Sequence, residues 1–472
     1  MNTLASFAPI LMLSVGSLAY LLGGHIIERL RMAAVFAGVL IVGAGLLAAG
    51  LQDNAASAHY GVVVNGFTRL LAVVVCAGAV TSVLATAHSL KSEQISTVSE
   101  YYYLMLTSLC GALIMIFASD FLTLFIGVEV ASLALYCLCG ARVTHPSGSE
   151  AAMKYFLLGC FSSACLLYGI AMVYGASGSL SFAMLEQGSQ SSPMVALAFT
   201  LILIGIAFKL GLAPFHFWVP DVYQGAPTSV TAFMSCVVKV AAIGALIKMC
   251  VAVFGFSFVW SYGAMWVLSV LAMIMGNLAA LQQRSVKRML AYSSVAQAGY
   301  MMIGIVIAGT DGASLAATLY YLISYCAMTV GAFAVISAVG PDADSIQDFH
   351  GLGKRSPFLA VSMTVIFLGL AGLPPGLAGL FGKVYLFQAA LSTNFFGLAI
   401  VGALNSALAC AYYFRVPAAM FFQPASKADP IRVPLSTLLG VALCVAAIVL
   451  FGVFPDTLMT LAESAVASIS ER

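Results

Sequence analysis

The feature that most limits what this chain can become is a succession of long apolar runs, each about the length of a bilayer-spanning helix. Such a helix needs about 20 mostly apolar residues. Marking runs of that kind gives fourteen segments, centred near residues 16, 42, 74, 109, 130, 163, 204, 241, 270, 298, 327, 375, 409 and 444. Short polar or Gly/Pro-bearing loops separate them. A membrane barrel would instead show short alternating strands, so the pattern specifies an all-α polytopic membrane protein. Composition agrees, because 62% of the side chains are hydrophobic and only 8% are charged, whereas a soluble domain carries roughly a quarter of its residues charged. The net charge of +2 and the lack of any like-charge run argue against a nucleic acid or an acidic substrate as partner.

The stretch from about Ala8 to Gly24 has no basic residues before it and no small-residue cleavage site followed by a soluble domain. It reads as a first span, not a removed signal peptide. The eleven cysteines lie almost entirely within apolar runs and form no CxxC pattern, which suits small core hydrophobes. Alternate loops collect the basic residues: Arg29 and Arg31; Lys91; Arg142; Arg284, Lys287 and Arg288; Lys354 and Arg355; Arg415, Lys427 and Arg432. Only Arg472 falls on the other side. By the positive-inside rule the basic loops are cytoplasmic and both termini lie on the periplasmic side, which an even number of spans requires.

Helix breakers interrupt two spans, at Gly211-Leu212-Ala213-Pro214 and at Gly372-Leu373-Pro374-Pro375-Gly376. Proline lacks an amide hydrogen and clashes with the carbonyl four residues back, so Leu210 and Leu370 are expected to lose their intrahelical partners. Bare carbonyls inside a bilayer are tolerated only within protein or beside water, and paired interruptions point to a transport site between repeats. The breaks fall in the seventh and twelfth spans, which suggests a five-helix unit used twice. Lys209 precedes one break and Lys383 follows the other, a reversal that fits repeats of opposite topology.

Six basic residues remain once the loops are set aside: Arg69, Lys154, Lys209, Lys239, Lys248 and Lys383. Arg69 and Lys248 fall near span ends, where long side chains snorkel to the interface. The other four read as deeper, and a lysine at a helix centre costs roughly 3 kcal/mol. Glu129 lies about nine residues into the fifth span and reads as the only carboxylate so deep, with Asp120, Glu150, Glu186 and Asp221 at span ends or in loops. Burial disfavours a charged ammonium and a nearby carboxylate favours it, so Lys209 becomes tunable if Glu129 approaches or withdraws. Together these charges read as a proton pathway. His216, just past the first break, joins it as a relay candidate or remains a satisfied core residue.

Three stretches then carry a specific resemblance: F-K-L-G-L-A-P-F-H-F-W-V-P-D-V-Y-Q-G-A-P-T (208 to 228), N-L-A-A-L-Q-Q-R-S-V-K-R-M-L-A-Y-S-S-V-A-Q-A-G-Y (277 to 300) and G-L-P-P-G-L-A-G-L-F-G-K (372 to 383). They resemble the antiporter-like membrane subunits of respiratory complex I. The stretch K-Y-F-L-L-G-C-F-S-S-A-C-L-L-Y-G (154 to 169) is most similar to the subunit N family of bacterial NADH-quinone oxidoreductase, called NADH dehydrogenase subunit 2 in mitochondria.

The resemblance implies about fourteen transmembrane helices: three within residues 1–90, two inverted five-helix repeats over 100–254 and 260–422, and a last helix over 433–455. It implies that Glu129 pairs with Lys209, that Lys239 is the central lysine of the eighth helix and Lys383 the charged residue of the second broken helix, with Lys154 and His216 as further polar positions. It places the chain in the bacterial cytoplasmic membrane beside a neighbouring antiporter-like subunit and small membrane subunits. NAD, FMN, iron–sulfur clusters and quinone then belong to partner subunits, with no cofactor or metal held here, and bound phospholipid is compatible. Two other functions compete: a cation/proton antiporter subunit, which the same fold supports, and a scaffold whose buried charges only fix helix packing.

Overall fold

A backbone in hydrocarbon must satisfy its own hydrogen bonds, and this chain does so with helices along almost its whole length. The computed structural model describes residues 5–470 except 30–31, 55–57, 59, 91–92, 94, 96, 144, 187–192, 252–258, 309–312, 426–430 and 432. The basic-loop residues Arg31, Lys91, Lys427, Arg432 and Arg472 therefore lie outside the described residues.

The helices are α1 (Ala8–Arg29), α2 (Ala33–Ala49), α3 (Gly66–Thr86), α4 (Val98–Phe117), α5 (Phe121–Cys139), α6 (Pro146–Ser177), α7 (Pro193–Leu210), α8 (Trp218–Gly225) and α9 (Thr228–Met249). They continue with α10 (Val259–Leu281), α11 (Val286–Val306), α12 (Ala313–Val339), α13 (Pro357–Ala371), α14 (Leu377–Ser392), α15 (Phe396–Tyr413), α16 (Arg415–Phe422), α17 (Leu435–Val453) and α18 (Pro455–Ser470). Short turns of helix lie at Phe182–Glu186, Ile346–Phe349 and Leu352–Arg355. Among the described residues twelve helices are long and apolar enough to cross a bilayer, and Ala33–Ala49, Pro357–Ala371 and Leu377–Ser392 are shorter apolar helices. The chain is thus an all-α polytopic membrane protein of about twelve apolar spans. The C-terminal helix α18 was not foreseen, because its mixed polar composition falls below the apolar-run threshold.

Helix starts are set locally. Asn65 and Thr68 form a reciprocal capping box at α3, Asp120 accepts from the Thr123 amide at 2.7 Å to start α5, and Ser285 accepts from the Arg288 amide at 3.0 Å to start α11. Each satisfies an orphan amide of the first turn. Small residues bring helices close: a Cβ on Gly111 of α4 would meet the backbone of Ala131, and one on Gly127 of α5 the backbone of Met115. This is the close-approach packing expected where lipid supplies no hydrophobic drive.

Hydrogen bonds tie the foreseen basic loops into one end of the bundle. Arg142 pairs with Asp342 at 2.8 Å, the Ile346 amide donates to Arg284 O at 3.1 Å and the Ile431 amide to Arg355 O at 3.3 Å, and Arg415 Nη1 donates to Leu281 O at 2.9 Å. The opposite end joins Val62 to Ala118 and Asp120 to Ser181 through isolated bridges, with Ser468 of α18 accepting from the Phe67 amide at 2.9 Å. At the centre stands α9, all of whose residues are buried, with α11 and α12 nearly so.

Candidate functional site

Both predicted breaks are present and share one construction. The leading half-helix ends in a glycine with positive φ, Gly211 at 70° after α7 and Gly372 at 86° after α13, and a cis proline follows three residues later, Pro214 and Pro375. Glycine fits because the left-handed region penalises any Cβ. At the second break the Leu370 carbonyl accepts from Lys383 Nζ at 2.9 Å and Gln297 Nε2 at 3.0 Å. The Ala371 carbonyl accepts from Lys383 Nζ at 3.0 Å and Ser406 Oγ at 3.1 Å. Leu370 thus lost its helical partner as proline chemistry requires, and side chains replaced it. At the first break Trp218 Nε1 donates to Phe208 O at 2.9 Å, two residues before Leu210.

Lys209 lies in the last turn of α7, and Lys383, although it follows its break, reaches back to the last carbonyls of α13. The Lys383 ammonium therefore occupies the negative end of its leading half-helix, whereas the Lys209 ammonium reaches across to Ser132 and Tyr136 of α5.

Three lysines, Lys209, Lys239 and Lys383, are buried to within 2–4% exposure. Lys209 Nζ donates to Ser132 Oγ at 2.6 Å and Tyr136 Oη at 3.4 Å, within 5.5–5.9 Å of the rings of Tyr136, Phe208 and Tyr155. Lys239 Nζ donates to the Ser294 carbonyl and stands 5.1 Å from the Tyr325 ring. Lys383 Nζ adds Ser406 Oγ at 3.0 Å and the Tyr300 ring at 4.7 Å. Among the described residues none of the three has a carboxylate within ion-pair distance. The expected Glu129–Lys209 pair is therefore corrected: Glu129, half-buried, accepts from Ser163 Oγ, and Ser132, three residues along α5, receives the lysine. Glu129 remains close enough to act on Lys209 through its charge.

A buried polar chain joins Lys239 to Lys383 through α11. Ser293, next to Ser294, hydrogen-bonds Tyr413; Tyr413 Oη accepts from Gln297 Nε2 at 3.3 Å; Gln297 accepts from Tyr321 and donates to Leu370 O beside Lys383. Between Lys209 and Lys239 lie Tyr155, stacked on Trp218 at 4.4 Å, and Tyr223, edge-on to Trp218 at 6.5 Å. Sequence reasoning weighed only charges and missed these hydroxyls and the glutamine. Their signal was the cluster Tyr292-Ser293-Ser294-Val295-Ala296-Gln297 inside an otherwise apolar span.

Three further expectations change. Lys154, read as deep, has a 42% exposed side chain and pairs with Glu150, one turn before it, at 2.7 Å and with Asp221, 67 residues on in sequence, at 2.6 Å. Lys248 does not snorkel but is buried, donating at 2.6 Å to both Ile116 O and Ala118 O at the end of α4. Lys287 is no loop residue: it opens α11 and is 3% exposed. Glu129 remains within a span, and a second carboxylate, Glu93 in the α3–α4 loop, is fully buried. Arg69 keeps its structural role, paired with Asp53 at 2.8 Å. His216 sits in the turn of the first break, buried, its ring stacked on Phe217 at 5.1 Å, with Nδ1 making no hydrogen bond among the described residues. Cys137 and Cys160 lie on the outer surface, while most other cysteines are buried. Among the described residues no group of three His, Cys, Asp or Glu is placed to hold a metal.

Residues 118–409, which contain every buried lysine above, match the family described as NADH:quinone oxidoreductase/Mrp antiporter, TM. NADH-quinone oxidoreductase subunit N of Trichlorobacter lovleyi is 38% identical over 440 residues, covering 91% of this chain and 89% of that protein. A chain of respiratory complex I from Thermus thermophilus superposes with a TM-score of 0.82 at 32% identity, covering 96% of this chain and 99% of the other. A chain of the Mrp complex from Dietzia sp. DQ12-45-1b shares the fold alone, with a TM-score of 0.85 at 22% identity over 99% and 97% of the two chains. With the family match spanning more than half of the chain and the subunit N relatives nearly all of it, the chain belongs to the NADH-quinone oxidoreductase subunit N family, the antiporter-like membrane subunits of respiratory complex I.

Proposed function

We propose that this subunit of the proton-translocating complex carries protons along Glu129, Lys209, Lys239 and Lys383, with Lys154 and His216 as secondary positions, coupled to quinone reduction in other subunits. The observation that carries this reading is that, among the described residues, the three deep lysines hydrogen-bond only to neutral oxygens. A buried charge ordinarily requires a partner of opposite sign, and a structural network would have supplied one. A lysine on neutral acceptors can lose a proton as the ammonium and regain it as the amine without leaving an unpaired carboxylate behind. The chain from Ser293 through Tyr413 and Gln297 to Leu370 O then offers hydroxyl and amide groups between two of the lysines.

The same reading extends to the architecture: fourteen passes, with three N-terminal helices in 1–90, two inverted repeats over 100–254 and 260–422, and a last pass over 433–455. Supporting it, α7 starts from the end of the bundle that bears Ser181 and α13 from the basic-loop end, so the two broken helices run in opposite directions. By the positive-inside rule the basic end is cytoplasmic and the termini periplasmic in a bacterial inner membrane. Flavin, iron–sulfur clusters, NAD and the quinone site belong to partner subunits, and half-buried Glu129 faces a neighbouring membrane subunit.

Lys209→Met tests the reading in the assembled complex. Quinone reduction and proton translocation are expected to fall together, by at least about tenfold for loss of a proton-transferring group. Unchanged turnover and pumping per assembled complex would sink it.

A further inference from the structure

Glu93 lies in a short polar stretch, Lys91-Ser92-Glu93-Gln94, that looks solvated in sequence, yet the structure encloses it completely. Its carboxylate accepts from the Thr228 amide at 3.1 Å and from Ser229 Oγ at 2.8 Å. Those residues form the first turn of α9, the helix that carries Lys239 halfway along. Two buried cations act on it, Lys287 from the start of α11 and Arg142 from the turn after α5, and Tyr101 of α4 packs nearby. Arg142 in turn holds Asp342, whose side chain is 74% exposed at the basic end. Charged groups therefore lead from water at that end to a carboxylate with no exposed surface.

We propose that Glu93 passes protons between the basic-loop end of the bundle and Lys239. This rests on the reading of Lys239 as a proton carrier. In the transfer the proton leaves the Glu93 carboxyl and ends on the Lys239 amine, giving an ammonium and a carboxylate that Lys287 and Arg142 balance. Ten residues of helix separate Ser229 from Lys239, about 15 Å at the helical rise, too far for one step. Polar side chains stand along it: Thr231 and Ser235 on α9, and Ser294 and Tyr325 beside Lys239. The Thr228 hydroxyl is buried and makes no hydrogen bond among the described residues, and the Ser294 hydroxyl lies against those of Tyr223 and Tyr325. Buried polar atoms are seldom left unpaired, and Thr228 marks the Glu93 end of the gap. Burial pushes the Glu93 carboxyl above the ordinary glutamate range, against the pull of Ser229, Lys287 and Arg142.

The bland alternative is an acceptor that merely fixes the N-terminus of α9, in the manner of a helix cap. Glu93→Gln separates the two, since its amide oxygen still accepts from the Thr228 amide while its amide nitrogen donates to Ser229 Oγ, which keeps the cap but holds no transferable proton. In the assembled complex, Glu93→Gln is expected to lower NADH-driven proton translocation by about tenfold or more, and Glu93→Asp to retain activity with a displaced pH profile. Wild-type pumping in Glu93→Gln, or a Glu93→Asp profile that coincides with wild type, overturns the proposal, and the second measurement stands even if the glutamine variant fails to assemble. Lys239→Met is measured alongside. If it pumps normally, the reading of Lys239 has failed; if it is inactive while Glu93→Gln pumps normally, only the role of Glu93 falls.

Discussion

Replacing Lys248 by methionine separates structural lysines from proton-carrying ones. Lys248 lies on the same helix as Lys239 and is equally buried, but it donates at 2.6 Å to two carbonyls, Ile116 and Ala118, at the C-terminal end of α4. There a positive charge completes the exposed carbonyls and opposes the helix dipole. Two hydrogen bonds from a charged donor are worth about 1.5–3 kcal/mol each, so methionine forfeits roughly 3–6 kcal/mol. Removing a buried ammonium returns about 2.5–3.5 kcal/mol of insertion cost, which leaves a net loss of up to roughly 3.5 kcal/mol. The assays are the thermal midpoint of the complex, the assembled fraction on a native gel, and NADH-driven proton translocation per assembled complex. Lys248→Met is expected to lower the midpoint and the yield while each assembled complex pumps at close to the wild-type rate. Lys239→Met, which gives up a single hydrogen bond to the Ser294 carbonyl, is expected to assemble and fail to pump. A Lys248→Met complex of wild-type stability that has lost pumping would refute the distinction.

Two further substitutions probe the second break. Gly379→Ala places a Cβ against the Gly369 carbonyl, where α13 and α14 meet backbone to backbone, and is expected to cost about 1–3 kcal/mol or more, read as lost assembly. Gly397→Ala, whose Cβ would have, among the described residues, only Trp266 at 3.9 Å for a neighbour, is the neutral control. Gln297→Leu removes the link between Tyr413, Tyr321 and the Leu370 carbonyl, which keeps Lys383 as its donor. It is expected to assemble with a loss of roughly 1–3 kcal/mol and to slow coupled quinone reduction, both measured on the purified complex.

Much of this was legible because the forces involved are local or pairwise with lipid. Run length specifies helices, and Pro214 and Pro375 dictate breaks wherever they stand in a span. Lys239 and Lys383 read as deep because their helices could not cross a bilayer without carrying them inward. What escaped notice depends on tertiary neighbours. Lys154 and Lys248 both look like charges in apolar runs, and only packing reveals that one meets Asp221 and the other the end of α4. Glu93 was hidden by the opposite effect: a polar loop looks wet in sequence, and its burial follows from the way the first turn of α9 closes over it. The polar chain through α11 carries no net charge, so an inventory of charges passes over it.

The placing of Lys239 near the middle of α9 has an electrical consequence. Counting along the helices, it lies about 16 Å from the basic end of α9, and the Leu370 carbonyl that Lys383 caps lies about 20 Å along α13 from the same end. A proton moving between these two lysines travels mostly parallel to the membrane plane. A full crossing of the membrane potential is worth about 2.3 kcal/mol per charge per 100 mV, and such a sideways step samples only a small part of it. Nearly all the work against the voltage then falls on the legs that join the lysines to either surface. A membrane potential should therefore slow uptake and release while leaving the exchange along the central axis almost untouched.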